Sequence, residues 1–400
     1  MVRRTKQFSA VLVALFVCLV GRNVSPVRAS DEPPQRKAAV AQFHLGGNVA
    51  EVPARFVDYL VFLPAGVNQS QPSLFQLDST ASASAIDSVR AAELGIASTE
   101  SPVLNFSGVD YSLASLTETS KKDFATRVGR TYEGTLGSDF LDGAVVEINY
   151  ARQTVRLYDP ASFQYSGRGK SVHLAFIGGL PVVHAELLMP GAKPAEGDFV
   201  LNTALDASVV VSQKFAQSHK LPSHNKTIHS TDLELDSSAV LARAKEFQVA
   251  GFPIAEPIVY FSRGGTLADS DSHLAGEIGG GMLRRFILTI DYPHQQVIFD
   301  GSSDIRTDEV EDMSGLAISA AGPDLKRFEV TQVWPGTPAA EAKIRKGDII
   351  AGVNDEAAAD MSLAEIRRLF RQPTVRYKLL LQRGTQTVTV NLQMRRQLNL

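Results

Sequence analysis

Apolar and polar positions alternate through two separated stretches of the chain, and each stretch is itself a pair of strands. One leads to Ile148-Asn149-Tyr150, turns, and resumes from Thr154 to Tyr158. The other leads to Ile290-Asp291-Tyr292, turns, and resumes from Gln296 to Phe299. Alternation with β-branched residues predicts a hairpin in each case. A second pattern is an apolar run that ends in a single acid and then breaks into small residues, Leu74-Phe75-Gln76-Leu77-Asp78-Ser79-Thr80-Ala81-Ser82-Ala83-Ser84, followed by Ala85-Ile86 and an Ala-rich helical segment Arg90 to Leu94 before Gly95. Near the other end, Leu363, Ile366, Leu369 and Phe370 recur at helical spacing, and Val375 to Gln382 with Thr385 to Gln393 form a last hairpin around Arg383-Gly384. These elements predict a mainly β chain with a few short helices.

The patterns repeat. Gly134-Thr135-Leu136-Gly137 matches Gly276-Glu277-Ile278-Gly279 at an offset of 142, and the match continues without a gap through Leu141 and Leu283 into the two hairpins. The run ending in Asp78 matches Phe199-Val200-Leu201-Asn202-Thr203-Ala204-Leu205-Asp206-Ala207-Ser208-Val209-Val210 at an offset of 124. Leu77 meets Leu201, Asp78 meets Asn202, and Ser84 meets Ser208. The chain therefore reads as a tandem of two β-rich lobes, 38–160 and 161–301.

An Asp at a strand end before Ser-Thr is, taken alone, a turn or cap residue that bonds its own backbone. With the apolar pair, the Ala-rich helix and the later Leu136-Gly137-Ser138-Asp139-Phe140-Leu141, it resembles the catalytic element of aspartyl proteases. Two such lobes in tandem resemble the pepsin arrangement of retropepsin-sized barrels. The resemblance implies one Asp-Thr/Ser-Gly turn per lobe, face to face, with two carboxylates sharing a proton and activating a water. Asp78, Ser79, Asn202 and Thr203 are the residues carried over as a degenerate dyad. Asn202 stands where the second acid belongs, and Thr80 and Ala204 stand where the family has a glycine. Val209-Val210 lie seven and eight residues past Asn202, as Ala85-Ile86 do past Asp78, which puts Asn202 in register. Asp206 is the alternative acid.

Residues 302–312 are polar and acidic and are predicted to form a linker. Beyond it, Val330-Thr331-Gln332-Val333-Trp334-Pro335-Gly336-Thr337-Pro338-Ala339-Ala340 and Ile344-Arg345-Lys346-Gly347-Asp348-Ile349-Ile350-Ala351-Gly352-Val353-Asn354 resemble a bacterial-type PDZ domain, placed at 313–396. The resemblance maps the carboxylate-binding loop onto Gly315, Leu316, Ala317 and Ile318. It maps the groove wall onto the helix from Ser362 to Arg371 with Ile366, whose spacing suits a core as well as a groove. An extended peptide or a protein C-terminus would add as a strand beside Leu316-Ala317-Ile318. Trp334 is expected to pack.

Composition then narrows the setting. Arg3, Arg4 and Lys6 precede an apolar run from Phe8 to Val20, and Val27-Arg28-Ala29 offers a cleavage site, so 1–29 is predicted to be a signal peptide and the protein secreted or periplasmic. A membrane would be met only through that segment if it stayed uncleaved. The single cysteine, Cys18, lies inside it, so the mature chain is expected to have no disulfide. A formal net charge of -3 and a short Arg367, Arg368, Arg371 cluster argue against nucleic acid. His219, His224 and His229 are five apart, which does not suit metal ligation on a helix; no cofactor or metal is expected. Asn68, Asn105 and Asn225 are glycosylation sequons of consequence only in a glycosylating host.

Three classes of function follow. In one the chain is an aspartic endopeptidase that works through Asp78 and recruits substrate by its PDZ domain. In another, favoured by the losses at Asn202, Thr80 and Ala204, it is a pseudoprotease that binds peptides or proteins. In the third the lobes are a shell and only the PDZ domain has a ligand.

Overall fold

The computed structural model describes residues 39–44, 47–96, 101–120, 122–221, 228–229 and 240–398. The predicted signal peptide, with Cys18, and the residues His224 and Asn225 lie outside the described residues.

Each lobe is built around a strand inserted between the two arms of its turn. In the first, strand Ser73–Leu77 runs into Asp78 and the chain returns as Ala85–Asp87. Strand Gly134–Leu136 lies between them, parallel to the first arm with Leu136 opposite Leu77, and antiparallel to the second with Gly134 opposite Ile86. In the second lobe, Ala195–Leu201 and Val209–Val211 flank Leu274–Ile278 in the same way, with Ile278 opposite both Leu201 and Val209. These central strands are covered on both faces, so every one of their residues is buried, Thr135 and Glu277 included. Glycine is required where the inserted strand leaves past the turn. A Cβ on Gly137 would lie 2.5 Å from the Ala83 carbonyl carbon, and one on Gly279 would lie 2.3 Å from the Ala207 oxygen.

The two predicted hairpins form, and they pair with each other. Val145–Asn149 and Phe286–Asp291 run antiparallel with Val146 opposite Ile290, so one sheet spans both lobes. Its order is Lys170–His173, Gln296–Gly301, Phe286–Asp291, Val145–Asn149, Thr154–Tyr158 and Val49–Pro53. Val52, Val146, Ile148, Val155, Leu288, Ile290 and Val297 place their alternate side chains in a core continuous across the lobes.

The C-terminal module has a sheet of Leu316–Ala321, Arg327–Val333, Ile349–Val353, Arg376–Arg383 and Gln386–Gln393 in that order, with Leu316–Ala321 on its edge. Helix Leu363–Phe370 closes it, started by a capping box in which Ser362 and Glu365 satisfy each other's backbone amides. Its own core includes Leu316, Phe328, Val330, Ile350, Ile366, Phe370, Leu379 and Leu381. The architecture is thus mainly β, two β lobes followed by an α+β module, as the patterning predicts.

Segment 302–312 connects the lobes to this module; Ser303 and Arg306 to Asp308 are exposed, but its last acids are packed. Glu309 and Glu311 are only 7% and 3% exposed. Glu309 accepts from the Ile258 backbone at 3.1 Å and lies 3.7 Å from Arg285; Glu311 pairs with Arg243 at 3.3 Å and accepts from the backbone of Gln397 and Leu398. An acidic run reads as solvated only until its partners are known, and here they come from lobe 2 and from the C-terminal strap, whose Leu398 packs on Leu205 and Ala207.

Candidate functional site

The two turns meet and exchange hydrogen bonds. Ser79 Oγ donates to the Leu201 carbonyl at 2.6 Å, and Thr203 Oγ1 donates to the Leu77 carbonyl at 2.9 Å. In return the Ser79 amide donates to Thr203 Oγ1 at 2.9 Å and the Thr203 amide to Ser79 Oγ at 3.1 Å. Both residues are buried, so each hydroxyl satisfies backbone groups that the other lobe could not pair by itself. Tyr292, from the lobe-2 hairpin, adds a bond from its hydroxyl to the Ser79 carbonyl at 2.8 Å. Asp78 and Asn202 each directly precede a cross-bonded residue, so the sequence-predicted quartet is brought together.

Asp78 is half-buried. Its Oδ1 accepts from the Thr80 amide at 2.9 Å, the Thr80 hydroxyl at 2.6 Å and the Ala81 amide at 3.1 Å. Thr80, standing where the resemblance calls for glycine, therefore contributes a donor to the acid. Asn202 repeats the first of these contacts, since its Oδ1 accepts from the Ala204 amide at 2.9 Å. That bond fixes the amide's orientation and aims Nδ2 at Glu277 Oε2, 2.8 Å away. The Asn202 amide donates to the Ile278 carbonyl at 3.0 Å as that of Asp78 donates to Leu136 at 3.0 Å. Asp206 lies further along the same loop; it is buried and its charge acts on Arg367 of the C-terminal helix.

Sequence reasoning missed Glu277. It is 3% exposed on strand Leu274–Ile278, its other oxygen accepts from the Ala268 amide at 3.1 Å, and burial pushes its carboxyl above the usual glutamate range. The matching position in lobe 1 is Thr135, so the signal was in the aligned copies: an acid stands at a covered strand position where its counterpart has a hydroxyl. The sites behind the turns also differ. Asp139 accepts from the amide and hydroxyl of Ser84 at 2.8 and 2.7 Å, whereas Gly281 occupies the matching place in lobe 2. The result is one turn with an acid, Asp78, cross-bonded to a second turn that carries an amide whose polar atoms are committed to Ala204 and Glu277. This arrangement can hydrogen-bond a peptide or a water, and the proton that two facing carboxylates would share has no second acceptor in Asn202.

In the C-terminal module, Gly315 has φ +73 and packs so tightly that a Cβ would lie 2.2 Å from Thr337 Cβ. Its carbonyl accepts from the Trp334 amide, and Trp334 is buried as expected. Leu316 and Ile318 are buried and Ala317 is half-buried on the edge strand. Ile366 is fully buried and packs with the module's own core. One helix position further, Arg367 turns toward the strand, and its Nη2 donates to the Ile318 carbonyl at 2.9 Å. Arg367 therefore lies on a covered face of the helix and not on a solvated one.

A cavity of about 540 Å³ opens on lobe 2, lined by residues including His173, His184, Glu186, Glu196 and Asp198 and by none of the turn residues. Among the described residues there is no group of three or more His, Cys, Asp or Glu placed to hold a metal, and no helix long and apolar enough to cross a membrane.

Residues 329–383 match the PDZ-domain family. No curated protein matches the chain. Among solved structures, the photosystem II D1 C-terminal processing protease is similar over 20% of this chain and 22% of its own, at 28% identity and a TM-score of 0.19. This chain therefore aligns with under a quarter of that protease's length. The PDZ domain of HtrA3 bound to a phage-derived ligand, FGRWV, is similar over 21% of this chain and 86% of its own, at 19% identity and a TM-score of 0.19. An aspartic proteinase from Irpex lacteus is similar over 65% of this chain and 99% of its own, at 11% identity and a TM-score of 0.40. The C-terminal module is a PDZ domain.

Proposed function

We propose that this chain is an exported aspartyl-protease-like protein that binds extended peptides or protein C-termini and has lost the two-carboxylate chemistry of its class. The observation that carries the reading is the Asn202 amide, held between the Ala204 backbone and Glu277 and unable to take up a proton. General acid–base attack on a peptide bond needs both a base for the water and an acid for the amide, and Asp78 supplies one at a time. The cross-bonded turns hold Asp78 at the seam of the two lobes, which supports peptide binding there, and the PDZ domain supports recognition of a free C-terminus.

The alternative is an active endopeptidase centred on Asp78. The test is cleavage of an unstructured protein from acid to neutral pH by the natural chain, Asp78→Ala, Asn202→Asp, and Asn202→Asp combined with Glu277→Thr. The double variant gives lobe 2 the acid and the Thr135-like neighbour that lobe 1 has. Silence in the natural chain and cleavage in the double variant are expected; cleavage by the natural chain that disappears in Asp78→Ala would sink the binding reading.

A further inference from the structure

The PDZ groove is filled by another part of the same chain. Edge strand Leu316–Ala321 pairs on one side with Arg327–Val333; its other side faces helix Leu363–Phe370 and lobe-1 helix Lys122–Val128. Between an edge strand and the flanking helix is where an extended ligand adds in this class of domain. The lobe-1 helix is seated there through Ala125, which packs on the PDZ core, while Ala364 of the PDZ helix packs on the lobe-1 cluster of Val57, Leu60, Phe62, Val128 and Tyr132. Its C-terminal Gly129, at φ +74, approaches Leu363 so closely that a Cβ would lie 2.6 Å from Leu363 Cβ. That glycine is what allows the helix to end against the PDZ domain.

A charge latch accompanies the packing. The Ile318 carbonyl, a backbone acceptor on the free edge, is taken by Arg367. Arg367 lies 3.6 Å from Asp58 of lobe 1, with side chains only 10% and 5% exposed, and Arg371 approaches the same carboxylate at 3.8 Å. An unpaired guanidinium at this depth would be costly, so Asp58, with the more distant charges of Asp206 and Asp312, stabilises the arrangement in which Arg367 points into the groove. The next residue, Tyr59, is covered on its ring by Arg284 from lobe 2 and Arg371 from the PDZ helix, so all three modules converge on one turn.

We propose that the resting PDZ domain is docked on lobe-1 helix Lys122–Val128, with Arg367 and Asp58 as the latch, and that a C-terminal peptide competes with this helix for the groove. The proposal rests on the peptide-binding reading of the PDZ domain. A ligand then meets a groove that is free only in the undocked fraction, and its apparent affinity falls by that fraction.

Hydrogen exchange and peptide binding on the full chain test it together. The variants are Ala125→Glu, which puts a charge into the contact, and Asp58→Asn, which removes the latch charge. Asp58 has φ +51, a conformation that asparagine tolerates. The probe is a pool of fluorescent random heptapeptides with free C-terminal carboxylates. Amides of 316–320 and 122–129 should exchange slowly in the natural chain and speed up together in the variants, while 379–382 stays protected and reports that the PDZ core is folded. The pool should bind the variants about tenfold more tightly. Equal binding to natural and variant chains, or exchange at 316–320 that ignores both substitutions, overturns the proposal. Coupled exchange with no peptide binding by any chain retains the docked contact and discards the peptide reading. If Ala125→Glu loses protection at 379–382, Asp58→Asn decides the matter.

Discussion

At the scale of single residues, Glu277 explains what Asn202 does. A carboxylate accepts on both oxygens, and here both are used by donors, Asn202 Nδ2 and the Ala268 amide. Asn202→Asp would replace a donor by an acceptor 2.8 Å from Glu277. The two buried acids would then have to share a proton, and the variant is expected to lose about 1–3 kcal/mol at neutral pH and less in acid, where the proton is available. Denaturant melts at pH 4 and 7 measure both. Glu277 itself has a raised carboxyl, so its favourable contribution is full below the unfolded value, about 4.3, and declines as pH rises through the folded one. Glu277→Gln does not titrate. Its stability relative to the natural chain is therefore expected to improve from pH 4 to 8, and a flat or opposite trend in thermal melts would show the sign to be wrong. None of this could be read from Gly276-Glu277-Ile278-Gly279 alone, because a glutamate in a strand is ordinarily on the wet face and only the inserted strand's double coverage buries it.

At the scale of elements, the sequence was informative wherever the determinants were local. Alternation marked both hairpins, the apolar run into Asp78 marked the turn, and the Pro-Gly and Gly-Asp turns marked the PDZ strands. What stayed hidden were contacts between elements far apart in the chain. Nothing in Val145–Asn149 says that its partner is Phe286–Asp291, and the apolar stripe of Leu363–Phe370 gave no hint that Arg367 shares its covered side, because the second surface that covers it is supplied by lobe 1. Ser79 and Thr203 were legible as the matching hydroxyls, yet their cross-bonding was not. Thr203→Val keeps the shape and removes the hydroxyl, leaving the Leu77 carbonyl and the Ser79 amide without it. A loss of about 1–3 kcal/mol is expected in urea unfolding. Asp139→Ala, in contrast, acts within lobe 1, where Ser84 and Phe140 lose their shared acceptor, and should leave the Ser79–Thr203 exchange intact.

At the scale of the whole molecule, buried ion pairs join modules that composition alone would have left independent. Arg243 with Glu311 and Arg285 with Glu309 bind the connecting segment to lobe 2, and Glu311 also receives the amides of the C-terminal strap. Such pairs add little net stability against an apolar alternative but are costly to break one-sidedly, by about 3 kcal/mol or more. Glu311→Ala is accordingly expected to separate PDZ unfolding from lobe unfolding in calorimetry, with the PDZ transition moving to lower temperature. A single transition unchanged in the variant would mean that the Glu311 contacts with Arg243 and the strap contribute nothing to cooperativity.

The sheet that spans both lobes has a consequence for anyone who cuts the chain. A half ending near residue 160 would carry Val145–Asn149 as a bare edge, with its row of amides and carbonyls and its apolar face stripped of Phe286–Asp291. Such an edge is a template for any strand that arrives, including another copy of itself. Each half should therefore be insoluble or self-paired when made alone, and the two halves made together should reassemble, which makes this seam a natural place to build a split reporter.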